Sequence, residues 1–176
     1  HIDGARIFNA AIAHETNVAD LVIDADSVTF CLSKGLSAPV GSIICGKKDF
    51  IYHARRIRKA LGGGMRQAGI IAAAGIVSLD KMISQIKNDH ENAQKLAEGI
   101  SQNRSLSVDI EKVKTNIIYF ELKPSKLKGS ELVNKMGNKG IYFFETSPNR
   151  FRMVTHYGIN GKDVNTTLTE LDKIVN

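Results

Sequence analysis

Two apolar, β-branched runs, SVTFCL (residues 27–32) and VGSIIC (residues 40–45), stand on either side of a short polar loop holding Ser33-Lys34-Gly35. Runs of this length bounded by turn residues read as buried strands, so the chain has to build a sheet around them. A lysine at the end of a buried strand is a desolvation liability. Either its stem carries the amine out to water, or the amine is kept for chemistry. A desolvated lysine has a lowered pKa, and its neutral amine attacks carbonyl groups. Gly35 removes side-chain bulk beside it and leaves room for a flat ligand.

The remaining pattern falls into two parts. His1-Ile2-Asp3 resembles the end of a strand whose beginning is missing, and with no initiator Met and no signal peptide the chain is expected to be the C-terminal part of something longer. Ile7, Ala10, Ala11 and His14 have helical spacing, and Thr16-Asn17 marks a stop. A short helix is expected over 18–23, strands over 27–32 and 41–45, and a basic helix over 49–60. Gly62-Gly63-Gly64 ends that helix. A long helical pattern runs from beyond Gln67 to about residue 100, with an interruption near Ser78-Leu79-Asp80, where Ser and Asp are candidate caps. Beyond residue 101 the order is strand (115–122), helix (130–137), strands (140–145 and 150–156) and a C-terminal helix from 163. That order describes helices on one face of a mostly antiparallel sheet. The expected division is residues 1–86, an α/β part, and residues 87–176, a small α+β domain.

Composition narrows the function classes. The net charge of +6 owes much to KKDFIYHARRIRK at 47–59, where Phe50, Ile51, Ala54, Ile57 and Leu61 share one helical face and the basic residues fall elsewhere. This is the pattern of a solvated helix face, or of a site for small anions. No aromatic interleaving or reader motif accompanies the charge, so nucleic acid is not an expected partner. No run approaches the roughly 18 to 20 apolar residues of a membrane span, and no membrane partner is expected. Cys31 and Cys45 lie in apolar runs and make no disulfide framework; they read as small buried hydrophobes of a reducing cytoplasm. The five histidines show no metal-ligand spacing, and no metal site is expected.

Four further features carry possible chemistry, each beside a structural alternative. Asp3, before Gly4-Ala5-Arg6, is either a turn or cap residue or a carboxylate at a strand end, where ligands of open α/β sheets bind. In a pyridoxal phosphate site, an acid there would keep the pyridine nitrogen protonated. The glycine stretch with Met65-Arg66-Gln67 is either a flexible connector or a phosphate cradle of backbone N–H groups and a guanidinium. If Phe151 and Met153 face a core, Arg150, Arg152 and Val154 share the opposite strand face. Arg152 is then either solvated or a bidentate clamp for a carboxylate.

Taken in order, HIDGARIFNAA, DSVTFCLSKGLSAPVGSIICG, RKALGGGMRQAG and RMVTH resemble the low-specificity L-threonine aldolases among the fold type I, aspartate-aminotransferase-like pyridoxal phosphate enzymes. The resemblance implies the C-terminal part of a cofactor-binding large domain followed by a small α+β domain. It implies pyridoxal 5'-phosphate as cofactor, held through a Schiff base by Lys34, with Asp3 on the pyridine nitrogen. Arg6 and Arg152 would bind the substrate carboxylate, with Arg150 the fallback for Arg152. Arg66, and with it Lys59, would lie near the cofactor phosphate or the mouth of the site, and Ser33 would support the cofactor. The implied reaction is retro-aldol cleavage of L-threonine or L-allo-threonine to glycine and acetaldehyde. The implied partners are an amino-acid substrate, the N-terminal half of the same enzyme and further copies in a dimer of dimers. A related β-eliminating lyase and a non-catalytic structural fragment are the alternatives.

Overall fold

The computed structural model describes residues 1–176, which divide into two compact units, His1–Ile86 and Lys87–Asn176. In the first, β1 (Ile2–Asp3) runs parallel to β2 (Ser27–Cys31), and β3 (Ser42–Gly46) pairs antiparallel with β2 on its other side. The parallel pair needs a crossover, which is supplied by α1 (Ile7–Ala13) and a single 3-10 turn at Asp20–Val22. Asn17 starts that turn by accepting a hydrogen bond from the Ala19 N–H at 3.0 Å. α1 sets Phe8 edge-on against Phe30 of β2, with ring centroids 5.3 Å apart. Phe8, Ile12 and Phe30 then pack on Leu32, Leu36, Ala38 and Ile86, with Leu79 and Ile83 completing the cluster.

α2 (Lys48–Ala60) and α3 (Gly69–Lys81) follow, and here burial departs from the pattern in the sequence. No residue of α2 is buried; Phe50 is 41% exposed and Ile57 59% exposed on its apolar stripe. β3 is exposed along its whole length, Cys45 included, where a buried strand was expected. Ile70, Ile76 and Val77 of α3 are also exposed. Periodicity states which face is apolar but not whether anything covers it. The helical break comes later than expected, at Met82, before a 3-10 turn at Ile83–Gln85. Ser78 caps nothing, because its Oγ donates back to the Ala74 carbonyl at 3.0 Å. No single helix is long and apolar enough to cross a membrane.

In the second unit, α4 (Ile86–Gln102) leads into a four-stranded antiparallel sheet ordered β4-β5-β7-β6, built from β4 (Leu106–Val108), β5 (Ile117–Leu122), β6 (Phe144–Ser147) and β7 (Arg150–Val154). α5 (Gly129–Gly137) and α6 (Gly161–Val175) join α4 against one face. Period-2 alternation decides which: Ile118, Phe120 and Leu122 of β5 and Phe151 and Met153 of β7 are buried, while Tyr119, Glu121, Arg150 and Arg152 point the other way. The core closes with Ala93, Leu96, Ala97 and Ile100 of α4, Leu132 and Met136 of α5, and Val164 and Leu171 of α6. α6 is started by a reciprocal cap in which Asn160 accepts from the Lys162 and Asp163 N–H groups and Asp163 accepts from the Asn160 N–H. Phe151, fully buried, lies 5.0 Å from the Phe120 ring and 5.5 Å from the Phe143 ring. Phe151→Ala is expected to lower the unfolding free energy by about 3–5 kcal/mol in urea titrations.

Candidate active site

β1 and β2 run parallel and end at the same end of the sheet, and Asp3, Arg6, Ser33 and Lys34 lie at or just beyond those strand ends. Asp3 stands opposite Thr29, and the ladder continues for one more bond, from the Gly4 N–H to the Thr29 carbonyl at 2.7 Å. A Cβ on Gly4 would come within 2.9 Å of that same oxygen, so the chain passes this point only as glycine. Upstream, the His1 ring straddles β2, with Nδ1 2.8 Å from Ser27 Oγ and Nε2 3.3 Å from Thr29 Oγ1. Alternation puts His1 and Asp3 on one face of the strand, and the Asp3 carboxylate is exposed there. Arg6 follows as the N-cap residue of α1, half-buried.

The Lys34 loop is closed by three backbone bonds. The Leu32 N–H donates to the Gly41 carbonyl at 3.0 Å, the Ser37 N–H to Lys34 and the Ala38 N–H to Leu32, both at 2.9 Å. Leu32, Leu36 and Ala38 plug into the core and anchor the loop, while Ser33 and Lys34 stand outside it, both exposed. Within this chain β2 stops at Cys31, and the three further residues carry the Lys34 amine to an exposed position, the first of the two alternatives. Lys34 forms no hydrogen bond or ion pair within this chain. Adjacent strands lie roughly 4.8 Å apart, and Lys34 comes five residues after Thr29, the register partner of Asp3.

Beneath this loop lies a residue the sequence pattern passed over. Asn9, in the IFNAAIA segment of α1, is 2% exposed and lies under Gly35, where a Cβ would meet its Oδ1 at 2.5 Å. A polar residue between Ile7 and Ala11 on the buried side of an otherwise apolar helix was the available signal. Gly35→Ala is expected to cost about 1–3 kcal/mol of stability by overpacking, and thermal melts of the variant would check it.

Lys59 and Arg66 form a second group. Lys59 is in the last turn of α2, and its stem lies across Gly64, so that a Cβ there would strike Lys59 Cδ. Arg66 follows two residues later, exposed, in the segment before α3. No hydrogen bond or ion pair links these two cations to Asp3, Arg6, Ser33 or Lys34.

In the second unit, β7 distinguishes its two arginines. Arg150 lies over the Tyr119 ring, 5.2 Å from the centroid, with its Nε 3.8 Å from Glu121. Arg152, half-buried and directly opposite Tyr119, is engaged by neither a carboxylate nor a hydrogen-bond acceptor. Thr155 fixes the end of this strand: its N–H donates to the Asn116 carbonyl (3.0 Å), its Oγ1 to the Asp89 carbonyl (2.6 Å), and its own carbonyl accepts from Asn116 Nδ2 (2.7 Å). Burial pushes the Asp89 carboxyl above its ordinary value, and His156 nearby pulls it partly back.

The family model for beta-eliminating lyases matches residues 1–123. The chain belongs to this family. Among relatives, it is 44% identical over 170 residues to low-specificity L-threonine aldolase 1 of Arabidopsis thaliana, covering 96% of this chain and 48% of the relative. It is 46% identical over 122 residues to the low specificity L-threonine aldolase of Escherichia coli K12, covering 69% of this chain and 36% of the relative. The chain thus spans half or less of the length of the curated relatives it matches. Among solved structures, a putative L-allo-threonine aldolase from Listeria monocytogenes superposes with a TM-score of 0.80 at 19% identity, over 98% of this chain and 51% of that one. Sphingomonas wittichii serine palmitoyltransferase superposes with a TM-score of 0.68 at 17% identity, over 89% and 41%. The fold is that of the C-terminal part of a fold type I pyridoxal phosphate enzyme.

The residues at the β1–β2 edge fit pyridoxal phosphate. An amine without a partner in the chain and a carboxylate project from one end of neighbouring parallel strands. Each is followed by a glycine that its surroundings keep free of a Cβ. This is the donor set that a pyridine carrying an aldehyde asks for: an acid at its ring nitrogen and a primary amine at its carbonyl.

Proposed function

We propose that the chain is the lysine-bearing part of a pyridoxal phosphate-dependent aldolase that cleaves L-threonine and L-allo-threonine to glycine and acetaldehyde. The observation that carries this is the placement of the unpartnered Lys34 amine and the Asp3 carboxylate at one end of the β1–β2 parallel pair. When bound, the cofactor supplies an electron sink for the bond cleaved between Cα and Cβ. Lys34 holds the cofactor and yields its place to the substrate amine. Asp3 holds a proton on the ring nitrogen. Arg6 and Arg152 are the candidates for the substrate carboxylate. Ser33 supports the cofactor beside Lys34, and Arg66 with Lys59 serves the phosphate or the mouth of the site.

The exposed apolar stripe of α2, the open edge of β3 and the exposed Ile70, Ile76 and Val77 support two further assignments. These surfaces meet the other half of the enzyme and further copies in a dimer of dimers. A cytoplasmic location completes the proposal.

The family model's description favours one competing reaction, β-elimination. Enzyme of full family length, loaded with pyridoxal phosphate, is expected to release glycine and acetaldehyde in equal amounts from L-threonine. Pyruvate and ammonia from L-serine, with no acetaldehyde from L-threonine, would favour the eliminating lyase instead. Neither product set would leave a non-catalytic role.

A further inference from the structure

Within the first unit, α1 meets the Lys34 loop along one face. Phe8 and Ile12 pack on Leu32, Leu36 and Ala38, the residues that root the loop in the core. Asn9 lies beside them on the helix, one residue after Phe8 and three before Ile12, and is 2% exposed. A Cβ at Gly35 would come 2.5 Å from Asn9 Oδ1 and 3.3 Å from its Cγ, so the amide faces the backbone of the residue that follows Lys34. The same helix is tied to the other strand end. The Ile7 N–H donates to the Gly4 carbonyl at 2.8 Å, and the Gly4 N–H to Thr29. One helix of seven residues thus runs from the Asp3 end of β1 to the Lys34 loop.

We infer that Asn9 is a positioning residue whose buried amide fixes the Lys34 loop against α1 and so sets where the amine is rooted relative to Asp3. The inference rests on the proposed roles of Lys34 and Asp3. Apolar packing by Phe8 and Ile12 is non-directional, so by itself it holds the loop down without fixing its register. An amide has one acceptor and two donors with fixed directions. Leucine would be buried at this place without the desolvation cost of an amide, so the core alone does not ask for asparagine. A lysine stem is flexible, and the reach of its amine is decided by where its backbone is held.

The test uses the loaded enzyme of full family length with L-threonine as substrate, at a temperature where circular dichroism shows each variant folded. Asn9→Leu, which keeps volume without the amide, and Asn9→Ala are each expected to lower kcat about 10- to 100-fold, the cost of misplacing a reacting group by about an ångström. KM should change less than about 3-fold. Ile12→Ala disturbs the same helix and core from a neighbouring position and should leave kcat within about 2-fold of the parent. Asn9→Ser keeps a smaller hydrogen-bonding group; it carries the test if the first two variants do not fold, with kcat expected to fall at least about 3-fold. In a Lys34→Ala background, with methylamine supplying the amine from solution, Asn9→Ala should alter the rate less than about 2-fold, because its effect runs through Lys34. Unchanged kcat in the Asn9 variants, a loss no larger than that of Ile12→Ala, or the same loss with Lys34 removed would overturn this inference and leave the proposed function standing. If Lys34→Ala itself keeps full activity, the role of Lys34 falls, and this inference with it.

Discussion

Lys34→Ala is expected to reduce aldol cleavage of L-threonine by at least about 10³-fold, a loss of about 4 kcal/mol of transition-state stabilisation. The physical reason is that this loop presents an amine just beyond the end of β2, held there by Leu32, Leu36 and Ala38 in the core. Because the Lys34 side chain is exposed and makes no hydrogen bond or ion pair, the substitution should leave the melting temperature unchanged. That separation matters, since a loss of activity with intact folding assigns the effect to chemistry. Lys34→Arg tests the same point more narrowly. It keeps the positive charge but supplies no neutral amine, and it is expected to be as inactive as the alanine variant. Single-turnover assays with both variants, alongside their thermal melts, provide the measurement.

Asp3→Asn is expected to lower kcat by roughly 10²- to 10³-fold, the range found when one preorganised electrostatic partner is removed from a reacting centre. Asparagine keeps the size and the strand position but cannot stabilise a proton on a ring nitrogen. β1 contributes only two residues to the sheet, and the Gly4 N–H, not the Asp3 side chain, makes the final bond to Thr29. Folding should therefore be spared. Cofactor affinity should fall by less than kcat, which equilibrium dialysis against kcat would resolve. A variant with unchanged kcat would remove Asp3 from the site.

How much of this was legible in the chain depended on what each element asks of its neighbours. The second unit was readable because its alternation is satisfied internally. Phe151 and Met153 of β7 face a core built from the unit's own helices, and Arg150 and Arg152 fall on the other face as spacing implies. The short edge strand Leu106–Val108 gave too few residues to show a period. In the first unit, the apolar character of 42–46 and of the Phe50, Ile57 and Leu61 stripe was legible, but its burial was not. Burial belongs to a pair of surfaces, and periodicity reports only one of them. The Lys34 loop shows the same limit. Its position after a β-branched run was plain, whereas the close approach of Asn9 to Gly35 joins segments 26 residues apart. No local pattern reports such a contact.

The central claim is that the Lys34 amine holds pyridoxal phosphate. Borohydride reduction of the loaded enzyme, followed by proteolysis and mass spectrometry, tests it most directly. The peptide containing Ser33-Lys34-Gly35 is expected to carry the phosphopyridoxyl group, and the visible absorbance should disappear on reduction. An unmodified Lys34 peptide, with the label on another lysine or on none, would contradict the claim.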